Sequence, residues 1–232
     1  MDGKLMKRLI TAFLIPLLIA VPELAFAQRG VQAIVTQQTS AATAPSVAAV
    51  WAVAAYTTLS QTISPTAGQL LVAATTSTGA SLVTPSGCGT WTERGTADSQ
   101  NDAIWSAPVT SSGSCTITLT APSSALELWE INTVSQTVDA AANTESYTAS
   151  PAVGASVTTT VANDLVVGEC LTTITTATYT IISPFINDFN GSSGAITLGM
   201  AHYVKVSAGS ITPSWTTNES SAWFCSTLAV KP

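Results

Sequence analysis

Few residues in this 232-residue chain could do chemistry. The single histidine, His202, sits beside Tyr203 in a stretch that reads as a strand. No G-x-S-x-G elbow accompanies it, so a Ser-His-Asp triad has no motif context, and the residue reads as structural or surface-lying. Carboxylates are the stronger candidates, because glycosidases work with two acids about 5–9 Å apart. Glu127 and Glu130 lie three apart in one predicted strand, which points them to opposite faces; they cannot flank one bond without a bulge. Glu169 is the third acid, placed to face Glu127 or Glu130 across an internal symmetry taken up below. Two oxygen-rich stretches, 98–102 and 187–190, resemble calcium loops only in composition. Calcium takes six to eight oxygens and neither stretch follows an EF-hand pattern, so both read as polar turns. The expectation is therefore no catalytic residue, no cofactor and no metal site.

Cys88, Cys115, Cys170 and Cys225 are the remaining reactive groups. None has C-x-x-C spacing, which argues against zinc. An even number in an exported chain points to structural disulfides, and four cysteines allow three connectivities.

Export is itself read from the first 27 residues. Lys4, Lys7 and Arg8 precede an apolar stretch, 9–21, and Ala25-Phe26-Ala27 supplies a small-x-small cleavage signal. The apolar stretch is interrupted by Pro16 and falls short of the roughly 20 residues that span a bilayer. Cleavage after Ala27 leaves Gln28 as a terminus able to cyclise. It also leaves 4 basic and 11 acidic residues, a net charge of −7. The remaining bases, Arg29, Arg94, Lys205 and Lys231, are scattered, which argues against nucleic acid and against anionic membrane surfaces. No later stretch is long enough to span a membrane.

Charged residues make up 9% of the chain, against about 25% in ordinary soluble domains, and Ser, Thr, Gln and Asn take their place. Hydrophobic content of 46% is too high for disorder. Short apolar or alternating runs separated by turn residues predict strands at 31–36, 69–76, 90–94, 103–109, 115–120 and 125–131. The series continues at 156–161, 164–172, 198–206, 211–216 and 222–230. The run 47–55 fits a buried strand, while 39–46 and 139–150 read as linkers. No stretch after the leader sustains a helical period. The fold class is all-β: an antiparallel, jelly-roll-like β-sandwich. It divides into a leader at 1–27, an opening strand and linker at 28–46, and one sandwich domain at 47–232.

A weak internal repeat runs through that domain, about 66–131 against 161–230. Gln69-Leu70-Leu71-Val72 matches Asp164-Leu165-Val166-Val167 at an offset of 95 positions, and Ser124-Ala125 matches Ser221-Ala222 at 97. Trp105 and Tyr203, and Leu119 and Trp215, fall at offsets of 98 and 96. Two similar halves burying their faces together follow from repeat logic. Cys170 then lies in the first strand of the second half and Cys225 in its last. This favours the pairs Cys170–Cys225 and Cys88–Cys115. Of the six tryptophans, Trp51, Trp91, Trp105, Trp129, Trp215 and Trp223, at least four are expected in the core.

The mature chain resembles a group of secreted bacterial β-sandwich modules. The resemblance rests on an opening strand, Val31-Gln32-Ala33-Ile34-Val35, and on Thr66-Ala67-Gly68-Gln69-Leu70-Leu71-Val72-Ala73. Further on it rests on Trp91-Thr92, 113–120, 126–131, Val157-Thr158-Thr159-Thr160, and Ala162-Asn163-Asp164-Leu165-Val166-Val167-Gly168. It closes on Leu228-Ala229-Val230-Lys231-Pro232. The Cys88-Gly89 insertion before Trp91 departs from the group's pattern. The resemblance implies a fold and a secreted, extracellular or cell-surface setting (the periplasm included), and no catalytic residue. The functional expectation is a non-catalytic module for a glycan or envelope partner. The alternative is a self-associating subunit of an extracellular fibre or matrix, with glycoside hydrolysis third.

Overall fold

Period-two alternation of Val, Ile, Leu and Thr, punctuated by Gly, Pro and Ser, makes strands wherever one face can be buried. The computed structural model describes residues 43–77, 82–96, 102–146, 150–193 and 196–232. The leader and the predicted strand at 31–36 lie outside these residues, as does 98–101 of the first oxygen-rich stretch. Among the described residues all regular structure is β, and every strand pair is antiparallel.

The strands are β1 (Ser46–Ile63), β2 (Leu70–Ser77), β3 (Thr92–Thr96), β4 (Ala103–Pro108), β5 (Cys115–Asn132), β6 (Val138–Ser146), β7 (Ala152–Val153) and β8 (Val157–Thr159). They continue as β9 (Asp164–Thr172), β10 (Tyr179–Ile181), β11 (Ile186–Ser193), β12 (Ile196–Lys205), β13 (Gly209–Ile211), β14 (Ser214–Thr217) and β15 (Trp223–Val230). Two five-stranded sheets carry the fold, in the orders β1-β5-β2-β4-β3 and β6-β15-β9-β12-β11. Strand for strand the orders correspond. Of the offset pairs of the sequence repeat, Leu70–Val72 and Leu165–Val167 fall on the corresponding strands β2 and β9 and Trp105 and Tyr203 on β4 and β12, whereas Leu119 lies on β5 and Trp215 on β14, which do not correspond. Edge β1 stacks on β11 and edge β3 on β6, as a two-fold relation between the halves requires.

The interior between the sheets is lined by Leu70, Val72, Ile104, Trp129 and Ile131 from one side and by Leu165, Val167, Leu198, Met200 and Leu228 from the other. Each sheet also has a covered outer face. On the first, β1 and β5 bend at register shifts between Ala54 and Leu59, and their far halves fold back. Leu59, Ile63, Ile117 and Leu119 thereby cover Leu71, Trp105, Leu126 and Leu128. On the second, the small sheet β10-β14-β7 brings Tyr179 and Trp215 against Val166, Cys170 and Trp223. Gly199 admits this layer: a Cβ there would meet the Trp215 Nε1 at 3.0 Å.

Four expectations are corrected. Residues 139–150, read as a linker, begin in edge strand β6, because Ala and Thr suffice where only one face is buried. The stretch 187–190, read as a polar turn, lies in edge strand β11, whose outer side is free to be polar. Runs 115–120 and 125–131 are one 18-residue strand rather than two. The run 47–55 belongs to another 18-residue strand, β1, at a sheet edge, where 47–53 are half-buried or exposed rather than fully buried.

Both expected disulfides form: Cys88–Cys115 with Cα atoms 5.3 Å apart and Cys170–Cys225 at 4.1 Å. Cys170 and Cys225 are direct ladder partners. Before the first bond, Gly87 at φ 85° makes a turn closed against Thr116, whose carbonyl leaves no room for a Cβ.

Candidate functional site

Alternation on β5 turns Ala125, Glu127, Trp129 and Ile131 inward, and Leu126, Leu128 and Glu130 outward. Glu127 and Glu130 therefore do sit on opposite faces. On β9 the same alternation turns Glu169 inward between Val167 and Leu171. The ladders set both glutamates at corresponding rungs: Ala74 pairs with Glu127 in the first sheet, and Glu169 with Ser226 in the second. Asp102, just ahead of β4, completes a trio of acids, each with 0% exposure.

The members are held unequally. Asp102 accepts from the Ser226 hydroxyl at 3.0 Å and the Thr76 hydroxyl at 3.3 Å, while the Asn143 amide donates to the Asp102 carbonyl and to Ser226. Neither oxygen of Glu127 or of Glu169 has a hydrogen-bond partner among the described residues. Burial pushes the Glu127 carboxyl well above its usual range, and the Asp102 charge adds to this. Burial does the same to Glu169, followed by the charges of Asp102 and Glu127. Ser226 offsets that shift in part without reaching hydrogen-bonding geometry. The cause is general: an isolated buried carboxylate is so costly that the group takes a proton instead. Burial thus favours the uncharged, protonated form of both glutamates, whose side chains are fully buried. Among the described residues no three His, Cys, Asp or Glu side chains converge as a metal site requires.

His202 is not solitary. Its Nδ1 lies 2.6 Å from the Asp188 Oδ1, and the Trp129 indole donates to the other Asp188 oxygen at 3.0 Å. Asp188 is aimed inward by a bulge between Asn187 and Phe189. The first half has the counterpart: a bulge between Glu93 and Gly95 aims Arg94, whose Nε donates to Ser106 at 2.8 Å. Sequence reading missed Asp188 as the partner of His202, since 14 positions and an unrecognised strand separate them.

A third group stands where β6, β15 and β9 end side by side. The Lys231 Nζ is 3.1 Å from the Asp139 Oδ1, and the Thr160 hydroxyl and amide both donate to the Asp139 carboxyl. Asp164, whose two carboxyl oxygens are buried with no hydrogen-bond partner among the described residues, is pushed up to about 7, by burial first and then by its neighbour Asp139. Burial also pushes Asp139 up, but Thr160, Asp164 and Lys231 outweigh it and hold the group at about 2. At the corresponding ends of the first sheet, uncharged groups make the same tie: Gln69 Nε2 donates to Asn132 at 2.8 Å, and Asn132 reaches Ser46 at 3.5 Å.

The four most buried tryptophans are Trp105, Trp129, Trp215 and Trp223, with Trp51 and Trp91 half-buried. Compared with family models, curated proteins and solved structures, the chain matches none.

Proposed function

We propose that this chain is a secreted, non-catalytic surface module that binds an uncharged, hydroxyl-rich partner, a neutral glycan of the cell surface or its envelope. The observation that carries the reading is the withdrawal of charge into the interior. Asp102, Glu127, Glu130, Asp164 and Glu169 are all buried, five of the chain's 13 acidic residues. A surface built this way recognises partners by hydrogen bonding and shape, with little electrostatic steering. The acids that hydrolysis would need are the sealed ones, which supports a binding role over glycoside hydrolysis.

The recess at the open end of the first sheet fits that partner. It is lined by Thr66, Gly68, Gln69, Asn132 and Thr133, with no ionisable side chain among them. Beside it Val134 is 79% exposed, an apolar spot of the kind a sugar face covers.

The test is a polysaccharide array probed with the mature protein at low and high salt, alongside light scattering. Salt-insensitive capture by neutral glycans, weakened by Asn132→Ala in protein that remains folded, supports the proposal. Absence of capture together with concentration-dependent growth of particle mass overturns it in favour of a self-associating fibre or matrix subunit.

A further inference from the structure

The group at the ends of β6, β15 and β9 contains more chemistry than a strand tie needs. Asp139 lies between Val138 and Ala140, at the bulge where the β15–β6 register shifts between Ala229 and Val230. Lys231 follows β15 directly, and Asp164 opens β9, the strand on the other side. An amine on the middle strand is therefore flanked by one carboxyl from each neighbour. The Asp139 side chain is 2% exposed and Asp164 0%, while the Lys231 side chain, at 34%, covers them from the solvent side. Lys205 is backbone-paired with Asp164 but extends along Gly209, with its Nζ 3.9 Å from where a Cβ there would stand. In the first half, the Gln69, Asn132 and Ser46 side chains tie the matching strands with no charge at all. The tie alone does not call for an amine and two acids.

We propose that Lys231 and Asp139 condense on the folded protein into an intramolecular isopeptide bond, with Asp164 as the proton relay. Below about pH 7 the group holds an ammonium, an ionised Asp139 and a protonated Asp164. Moving one proton across the 3.1 Å contact from Lys231 to Asp139 gives a free amine and two neutral acids, with the net charge unchanged. That transfer is uphill, because Thr160, Asp164 and Lys231 hold Asp139 ionised at rest, and the burial of the two carboxyls lowers its cost by disfavouring separated ions. The Nζ lone pair then attacks Cγ of Asp139, and the carbonyl electron pair moves onto oxygen. There the Thr160 donors and the Asp164 O–H meet the developing charge, as oxyanion stabilisation requires. The Nζ proton passes to Asp164 and the Asp164 proton to the departing hydroxyl. The Cγ–O bond breaks, one water leaves, and Asp164 ends as it began. Nothing is oxidised or reduced, and no co-reactant is needed. Proximity supplies the driving arrangement: amine and carboxyl are held together by three paired strands before they react.

The experiment uses the mature wild-type protein. After full reduction and alkylation, trypsin cuts beyond Arg94 and Lys205, which places Asp139 and Lys231 in different fragments, 95–205 and 206–232. Reduction removes the Cys170–Cys225 link between them. The expected result is that the two fragments stay joined, at a combined mass lower by one water, about 18 Da. Fragment linkage decides the matter, because cyclisation of Gln28 by itself changes the intact mass by about 17 Da. Lys231→Arg and Asp139→Ala should each release the fragments. Lys205→Arg, which keeps the trypsin site, should leave them joined. Separation of the fragments in folded wild-type protein overturns the proposal and leaves Lys231 and Asp139 an ion pair. Undiminished linkage in Asp164→Ala overturns the relay role.

Discussion

Glu127 in one sheet and Glu169 in the other occupy corresponding rungs of two related ladders, and each is a neutral acid within reach of the other's field. Their rung partners differ. Opposite Glu127 stands Ala74, and opposite Glu169 stands Ser226, so each half contributes one glutamate and one small residue to the same level of the interior. Two large acids directly opposed in one sheet would crowd the core, whereas one in each sheet fits.

The pair makes stability depend on pH in a definite direction. Both folded values stand above the ordinary 4.5, so between 4.5 and the folded values the native state holds protons that the unfolded chain has released. The stability these groups contribute is fully present below about 4.5 and is lost as the pH rises through the folded values. Asp102 and Ser226 face the pair, and no basic side chain interacts with either acid to reverse the sign. Thermal unfolding followed from pH 5 to pH 8 should show a falling melting temperature. Glu127→Gln or Glu169→Gln should raise it at pH 8 and flatten the slope. A melting temperature that climbs with pH would contradict this account.

Asp188 satisfies two partners at once, and its removal should cost more than that of His202. Asp188→Ala strips the acceptor from the buried Trp129 indole, at a cost of about 1–3 kcal/mol. Asp188→Asn keeps an acceptor oxygen and should cost less. His202→Ala leaves the Trp129 bond intact and should cost least. Urea unfolding of the three variants gives the order, and His202→Ala as the most damaging would refute it.

The two disulfides should differ far more in accessibility than in their contribution to stability. Loops of 27 and 55 residues give about 3.5 and about 4.2 kcal/mol on the chain-entropy model. Cys170 and Cys225 are at 0% and 1% exposure, whereas Cys88 and Cys115 are half-buried. Under native conditions a mild thiol followed by alkylation should label Cys88 and Cys115 first. Cys170 and Cys225 should react only near the unfolding midpoint. Equal labelling rates in the native state would show that the second bond is not sealed.

How much was legible in the sequence varies with the range of the interaction involved. Strand β9 was readable residue for residue, because the apolar pieces Leu165-Val166-Val167 and Cys170-Leu171 follow directly on the turn residues Asn163 and Asp164. Strand β11 was not, because an edge strand with a polar outer side looks like a turn. The opposed placement of Glu127 and Glu130 followed from alternation alone. The approach of Glu169 to Glu127 did not, since it depends on which β9 residue lies over which β5 residue. Asp188, Asp139 and Asp164 acquired their roles only from neighbours on other strands.

The sequence by itself determined that the chain is all-β and antiparallel and that at least four tryptophans are core, and it favoured cysteine pairing within halves without deciding it. Those properties follow from local alternation, turn residues and a repeat near 96 positions, all of which are written along the chain. Tertiary structure alone decided which acids are neutral, which is ionised, and which meets an amine. The physical reason is that a carboxyl's state depends on burial and on charges a few ångströms away, and in a sandwich those neighbours come from strands far apart in sequence. Glu127 and Glu169, the acids that first looked like chemistry, are buried between the sheets, while Asp139 and Asp164 meet Lys231 at the strand ends.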